Sequence, residues 1–128
     1  MNDAFLITDS TFKLSDFKFY TEGAIKFDDL SEFEIEYNIP YQHKTYFSVS
    51  KDNSIFDMMD PSEQEKVISE FNEFNIFTCL FYDFRYLQTL VASIPPDRKV
   101  IIDNDHGKLL KREEFLKLNS YEEFAKWP

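Results

Sequence analysis

The residues best suited to chemistry lie in one short run, Asp103-Asn104-Asp105-His106. Two carboxylates separated by one residue at the end of a strand can share a divalent cation, because one turn directs both groups to the same point. The same residue types are favoured in tight turns for backbone reasons alone, since Asn and Asp side chains accept hydrogen bonds from the residues that follow. The run therefore predicts a turn, with a metal-dependent or acid–base site as the alternative.

Other nucleophilic or metal-binding side chains are few and separated. His43 and His106 are the only histidines and fall in different predicted loops, so no Cys or His spacing resembles a zinc site. Cys79 with either histidine would make a nucleophilic dyad, but a thiol inside an apolar strand is a weak nucleophile. We expect Cys79 to be an inert buried thiol, and the chain to use no catalytic residue, metal or other cofactor.

A group of carboxylates between residues 28 and 36 is the second candidate site. Glu34 and Glu36 alternate with apolar residues in a predicted half-buried strand, a pattern that directs carboxylates to solvent. One interpretation is an ordinary solvated strand face. The other is a docking surface for a basic partner, with nearby tyrosines as interface anchors. The residues predicted to bind the partner are Asp28, Asp29, Glu32, Glu34, Glu36, Tyr37, Tyr41 and Tyr46.

Composition indicates one globular domain spanning residues 1–128. Hydrophobic residues make up 43% of the chain and aromatic residues 18%, which suffices for a core without a metal or cross-link. The single cysteine permits no internal disulfide, and no apolar stretch approaches the about 18 residues of a membrane span. No signal-peptide pattern opens the chain, so we expect a cytoplasmic protein.

The net charge of −10 is concentrated in the first half of the chain. Residues 1–60 carry 12 acidic and 5 basic residues, whereas residues 61–128 carry 12 and 9. Such a chain repels nucleic acid and anionic lipid, and it attracts basic proteins and raises their association rate. We therefore expect a protein partner rather than nucleic acid or membrane, with the chain itself a monomer or weak dimer.

The elements that position the first candidate site form one unit, residues 76–112. An apolar strand opens it, and Asp83 stands where the N-cap of the following helix belongs. Pro95-Pro96 ends this helix, after which residues 100–102 make a second buried strand. Because a strand–helix–strand crossover joins strands of the same direction, we expect these two strands to run parallel. A turn at Gly107 then returns the chain as an antiparallel edge strand.

A helix precedes this unit. Asp60-Pro61-Ser62-Glu63 combines an N-cap, a proline at the first helical position and a glutamate placed to bond back to the cap. Val67, Ile68, Phe71 and Phe74 form its predicted buried stripe, and it should end near Asn75. Ser120 and Glu123 repeat the capping pattern near the C-terminus.

These elements predict an α+β fold in a single domain. Alternating strands at residues 33–39 and 45–49 indicate an antiparallel meander in the N-terminal half. We expect a mixed β-sheet built from that meander and a βαβ-hairpin unit in the C-terminal half, with two to four helices.

A small, acidic, mixed α/β chain of this kind looks like the immunity proteins of bacterial toxin systems, and most of all those of contact-dependent growth inhibition. The resemblance rests on residues 82–85 (YDFR), which lead into a helix, and on residues 99–107 (KVIIDNDHG). It covers about a quarter of the chain and leaves out the N-terminal half. It implies a cytoplasmic protein that binds one cognate toxin, often a nuclease, and blocks its active site without catalytic residues of its own.

The sequence thus predicts a non-enzymatic inhibitor that neutralises a basic toxin by occlusion and charge complementarity. Two alternatives stay open. One is a small metal-dependent enzyme that uses Asp103, Asp105 and His106. The other is an acidic regulatory protein, or a DNA mimic, that binds a different basic target.

Overall fold

A computed structural model describes residues 2–17, 25–31, 34–39 and 44–128, and the side chains of residues 2–17 and 47–128. The strands are β1 (Asn2–Asp9), β2 (Ile25–Ser31), β3 (Glu34–Ile39), β4 (Lys44–Lys51), β5 (Phe74–Phe81), β6 (Val100–Asp103) and β7 (Leu109–Lys111). They form one sheet in the order β2-β3-β4-β5-β1-β6-β7.

Four α-helices lie within the described residues: α1 (Pro61–Glu70), α2 (Phe84–Ala92), α3 (Arg112–Leu116) and α4 (Tyr121–Ala125). Two 3-10 helices are also present, Leu14–Asp16 after β1 and Asn53–Met58 between β4 and α1. The single-domain α+β class is therefore confirmed, and so is the predicted meander. In the described part of the chain, no helix is both long enough and apolar enough to cross a membrane.

The predicted helix starts are confirmed by their caps. The carboxylate of Asp60 accepts a hydrogen bond from the Glu63 N–H at 2.9 Å, and that of Asp83 accepts one from the Arg85 N–H at 2.9 Å. The Ser120 hydroxyl accepts one from the Glu123 N–H at 3.3 Å. Each bond satisfies a backbone donor that has no partner inside its helix.

The sheet is antiparallel at every pairing of the described strands, so the expectation of a mixed sheet was wrong. The strands β5 and β6 do run in the same direction, but β1 lies between them and pairs antiparallel with both. The reason lies in β1 itself, whose residues from Ala4 to Thr8 are all buried. A strand that is apolar on both faces belongs in the middle of a sheet, where both of its edges are paired.

Helix α1 ends five residues earlier than the sequence predicts. Phe71 adopts extended geometry, and Phe74 already opens β5 by pairing with Asp9. Val67 and Phe71 are buried as predicted, but Ile68 is 60% exposed and does not belong to the buried stripe. Strand pairing overrides the helical periodicity at this point.

Strand β1 contributes side chains to two separate cores. Ala4 and Leu6 pack with the apolar residues of α2, α3 and α4, on what we call the helix-covered face. Phe5 and Ile7 point the other way and pack with Val67 of α1, on what we call the partly covered face. The larger core holds much of the aromatic content, including Phe84, Phe115 and Phe124, whose ring centroids lie 5.2–5.5 Å apart.

The turn between β6 and β7 is anchored by Asn104, which is fully buried. Its amide group donates to the Phe124 carbonyl at 2.9 Å. Its side-chain oxygen accepts from the N–H groups of His106 and Lys108 at 2.8 and 3.2 Å. Asp105 and Gly107 adopt positive φ angles of 61° and 83°, which the tight turn requires. The predicted turn is confirmed, and Asn104 fixes it to α4.

We predict that Asn104→Ala destabilises the protein by about 2–3 kcal/mol, because it leaves the buried Phe124 carbonyl and two turn N–H groups without their partner. Urea unfolding measures the change. Asn119→Ala is the matched control, since Asn119 is exposed and its side chain makes no hydrogen bond within the described residues. Equal destabilisation by both variants would contradict the anchoring role.

Candidate functional site

An acidic pocket lies on the partly covered face, where the N-terminus of α1 meets the end of β6. It has a volume of about 220 Å³ and combines apolar walls with three carboxyl groups. Its lining residues are Phe5, Ile55, Met58, Met59, Glu63, Asp103, Asp105 and Gly107. We refer to this set as the acidic pocket.

The chain builds the pocket from three elements. Asp103 is the last residue of β6, and its carboxylate accepts the Asp105 N–H at 2.8 Å, which directs the turn. Glu63 lies in the first turn of α1. The sequence predicts a hydrogen bond from the Glu63 side chain back to the cap residue Asp60. Within the described residues, the side chain of Glu63 does not accept the backbone N–H of Asp60. The Glu63 carboxyl group hydrogen-bonds with the side chains of Asp60 and Asp103 instead.

Two of these carboxyl groups are buried. Glu63 is 9% exposed and Asp103 is 3% exposed. Among the described residues, no Lys, Arg or His forms an ion pair with either of them. Burial raises the pKa of Glu63 to about 7, with further contributions from its hydrogen bond with Asp60 and the charge of Asp103. Burial also raises the pKa of Asp103.

A second carboxyl pair extends the site to β1. The pKa of Asp105 is raised to about 6. Burial is the largest cause, and the hydrogen bond with Asp3 and the charges of Asp3 and Asp103 add to it. Asp60 behaves oppositely, because the Glu63 N–H and the Ser62 hydroxyl donate to it and lower its pKa to about 2. The raised pKa values of Glu63, Asp103 and Asp105 follow because ionising all of these groups together is unfavourable.

The described residues do not contain a group of three or more His, Cys, Asp or Glu side chains arranged to hold a metal ion. His106 is exposed, and His43 lies outside the described residues. Asp103 and Asp105 do come together, as the sequence predicts, but their partners are Glu63 and Asp3 rather than His106.

Cys79 lies in the core of the helix-covered face and is fully buried. Burial raises the pKa of its thiol, so the group stays protonated at neutral pH. The prediction of a buried thiol is confirmed.

Beside the acidic pocket, the partly covered face carries exposed side chains. Leu80 of β5 is 37% exposed and pairs in register with Ser48 of β4 and Asp3 of β1, so these three positions share that face. Tyr82 and Met58 are 51% and 79% exposed. We call the surface of Asp3, Ser48, Leu80, Tyr82 and the acidic pocket the open half.

The predicted partner-binding residues lie in the strands that continue this face to one edge of the sheet. Glu34 and Glu36 of β3 pair in register with Ser50 and Ser48 of β4. Directly paired positions of an antiparallel sheet belong to one face, so positions 34 and 36 extend the row of Ser48 and Leu80.

The remaining predicted positions are less fully described. Asp28 and Asp29 belong to β2, Tyr37 to β3 and Tyr46 to β4. Glu32 and Tyr41 lie outside the described residues, and so do the side chains of residues 18–46. A role for these eight residues in binding stays a prediction.

Sequence reasoning missed Asp3 and Glu63 as parts of the site. The capping pattern assigned Asp60 and Glu63 to a helix start only, and Asp3 showed no signal at all. Asp3 joins the site through the pairing of β1 with β6, which places Phe5 opposite Asp103. Glu63 joins it from the first turn of α1. The only available signal was the combination of two residues. Glu63 stands at the third position of its helix, and Asp103 stands at the end of its strand.

Comparison with known proteins adds no assignment. No known protein family, characterised protein or solved structure matches the chain. Function is therefore inferred from geometry and charge.

We predict that Glu63→Gln stabilises the protein above about pH 7 and reduces the pH dependence of its stability. The folded-state pKa of Glu63, about 7, exceeds its usual value of 4.5. Between these values the unfolded chain loses the Glu63 proton while the native state keeps it, so wild-type stability falls as pH rises. A neutral amide removes this term and can still donate to Asp60 and Asp103.

Thermal unfolding from about pH 4 to pH 8 checks this, with about 3–5 °C expected per kcal/mol for a domain of this size. A smaller fall ending near pH 6 should remain, because Asp105 keeps its raised pKa. Glu65→Gln, an exposed change in the same helix, is the control. A Glu63→Gln profile that matches the wild type would contradict the assignment.

Proposed function

We propose that this chain is a cytoplasmic immunity protein, which binds a cognate bacterial toxin and neutralises it by covering a basic active site. The observation that carries the proposal is the open half, where exposed apolar side chains are bordered by carboxyl groups that form no ion pair within the described residues. The sequence resemblance to immunity proteins of contact-dependent growth inhibition supports the same assignment. A nuclease is the toxin class that best fits, because a nuclease must present a basic cleft to nucleic acid.

The arrangement of the open half matches what a protein interface needs. Exposed Leu80 and Tyr82 supply apolar and aromatic contact area near its middle, where binding energy concentrates. Asp3 and the acidic pocket lie on one side of them. On the other side lie the strand positions Glu34 and Glu36.

Charge serves a different purpose from the apolar centre. With a net charge of −10, the chain steers a basic partner into contact and raises the association rate. Carboxylates at the rim affect mainly that rate, whereas fully desolvated pairs affect dissociation and cost about 2–5 kcal/mol when one partner is truncated. The predicted carboxylates at positions 28–36 fit the first role.

The same surface would also suit a basic partner that is not a toxin, which is the regulatory or DNA-mimic alternative. The discriminating partner is the C-terminal domain of the protein encoded by the adjacent gene, because immunity proteins are expected beside their toxins. Co-expression must restore growth to cells that produce this domain. Failure of both protection and complex formation would overturn the immunity assignment.

We predict that Leu80→Lys weakens binding of that domain by about 2–4 kcal/mol, which is about 30- to 1000-fold, because it places a positive charge at the centre of the interface. Isothermal titration calorimetry measures the change. Leu116→Lys is the matched control, since Leu116 is 38% exposed, against 37% for Leu80, and lies on α3 over the opposite face.

The control should bind like the wild type. If Leu116→Lys weakens the complex and Leu80→Lys does not, the interface lies on the helix-covered side and the docking proposal fails. Raising the salt concentration should slow association of the wild type and leave dissociation nearly unchanged.

A further inference from the structure

We propose that a groove at the edge of the sheet formed by β6 and β7 binds a nucleoside monophosphate, whose phosphate group contacts the ammonium groups of Lys66, Lys99 and Lys111. We call this cavity the basic groove. It shares no lining residue with the acidic pocket. The inference goes beyond the proposed immunity function and does not depend on it.

The basic groove is large enough for a small organic ligand. Its volume of about 660 Å³ lies within the roughly 300–1,000 Å³ typical of pockets for small molecules. Three parts of the chain line it, namely the C-terminal half of α1, residues 96–101 and residues 109–114. A mononucleotide suits this space, whereas a bare phosphate, with only five heavy atoms, leaves most of it empty.

Three lysines of the lining lie around one carboxylate, that of Glu70. Lys99 forms an ion pair with Glu70. Lys66 precedes Glu70 by four residues in α1, so the two side chains leave the helix on the same side. Lys111 pairs in register with Ile101, and its charge acts on Glu70. The three ammonium groups therefore converge on one region of the groove.

This group of side chains has an excess of positive charge. Neither Lys66 nor Lys111 forms an ion pair in the described part of the chain. The hydrogen bond with Lys99 and the charges of Lys99 and Lys111 lower the pKa of Glu70, so this carboxylate is ionised at neutral pH. Three ammonium groups and one carboxylate leave two positive charges. A phosphomonoester carries about −1.5 to −2 at pH 7 and matches that excess.

The other charged groups of the lining hold the groove together. Arg112 donates to three backbone carbonyl groups at 2.8, 3.2 and 2.8 Å, those of Ile94, Pro95 and Arg98. The charges of Glu113 and Asp97 act on the same guanidinium group. Glu114 accepts the Lys111 N–H at 2.9 Å at the start of α3. These contacts fix the segment before β6 against α3 and leave the lysine ammonium groups for a ligand.

Arg98 also lines the groove and has one donor without an acceptor. A terminal nitrogen of its guanidinium group donates to the Thr11 hydroxyl at 2.9 Å and pairs with Asp9 at 3.4 Å. Its Nε atom is buried and has no hydrogen-bond partner among the described residues. A buried donor without an acceptor is unfavourable. An anionic oxygen bound at this end of the groove can supply one.

The apolar part of the lining favours an organic phosphate over an inorganic one. Pro96, Ile101 and Leu109 line the same groove and offer contacts for a sugar or base. A nucleic acid polymer is disfavoured, because the net charge of −10 repels an extended polyanion. A single phosphate responds mainly to the nearby lysines, since charges beyond about 8–10 Å are largely screened at physiological salt.

Nuclear magnetic resonance titration of the full chain with adenosine monophosphate tests the inference. It follows the backbone amide groups of residues 66–70, 99–101 and 109–111. Adenosine lacks only the phosphate group and is the matched neutral probe, whereas inorganic phosphate lacks the organic part. We expect submillimolar binding of adenosine monophosphate and at least about tenfold weaker binding of the other two probes.

Two substitutions should change the affinity in opposite directions. Lys111→Gln should weaken binding of adenosine monophosphate by about fivefold or more, because it removes an ammonium group. Glu70→Gln should strengthen binding by about threefold or more, because it removes the carboxylate that competes with phosphate for Lys99. Damage to the fold cannot strengthen binding. Lys117→Gln, an exposed change outside the groove, is the control and should leave the affinity unchanged.

Several results would overturn the inference. They are absence of binding, adenosine or inorganic phosphate that binds as tightly as adenosine monophosphate, and shifts confined to residues outside the groove. Unchanged affinity in Lys111→Gln, or weaker binding in Glu70→Gln, would overturn it as well. None of these results bears on the complex with the adjacent-gene domain, which is measured separately.

Discussion

The pairing of β1 with both β5 and β6 is the constraint on which the rest of the structure depends. It places one apolar strand at the middle of a seven-stranded sheet and divides its side chains between two cores. It also brings Asp3 and Asp103, which are far apart in sequence, to the same end of neighbouring strands. The pocket, its carboxyl pairs and the boundary of the open half all follow from this arrangement.

The two faces of the sheet are covered unequally, and this difference leaves exposed side chains on one of them. Three α-helices and the larger core close one face, whereas α1 and the 3-10 helix Asn53–Met58 pack against the other. The exposed part of that face is not simply polar, because Leu80 and Tyr82 lie beside buried carboxyl groups that form no ion pair in the described part of the chain. An exposed apolar centre with an acidic border is the composition expected of a surface that binds a basic protein.

Local signals in the sequence were sufficient for the helix starts and insufficient for the arrangement of the elements. Asp60, Asp83 and Ser120 marked three helix starts correctly, since capping depends on residues within one turn. The position of β1 could not be predicted, because a strand that pairs with distant segments leaves no local mark of its partners. For the same reason Asp103 and Asp105 were recognised as candidates, whereas Asp3 and Glu63, which complete the site, were not.

Hydrogen–deuterium exchange of the chain, alone and in complex with the toxin domain encoded by the adjacent gene, tests the central claim most directly. The account predicts that protection on binding concentrates in β3, β4 and the end of β5, together with residues 58–63 and 103–107. Amide groups of α2, α3 and α4 should exchange at the same rate in both states. Protection confined to those three helices, with the open half unchanged, would contradict it.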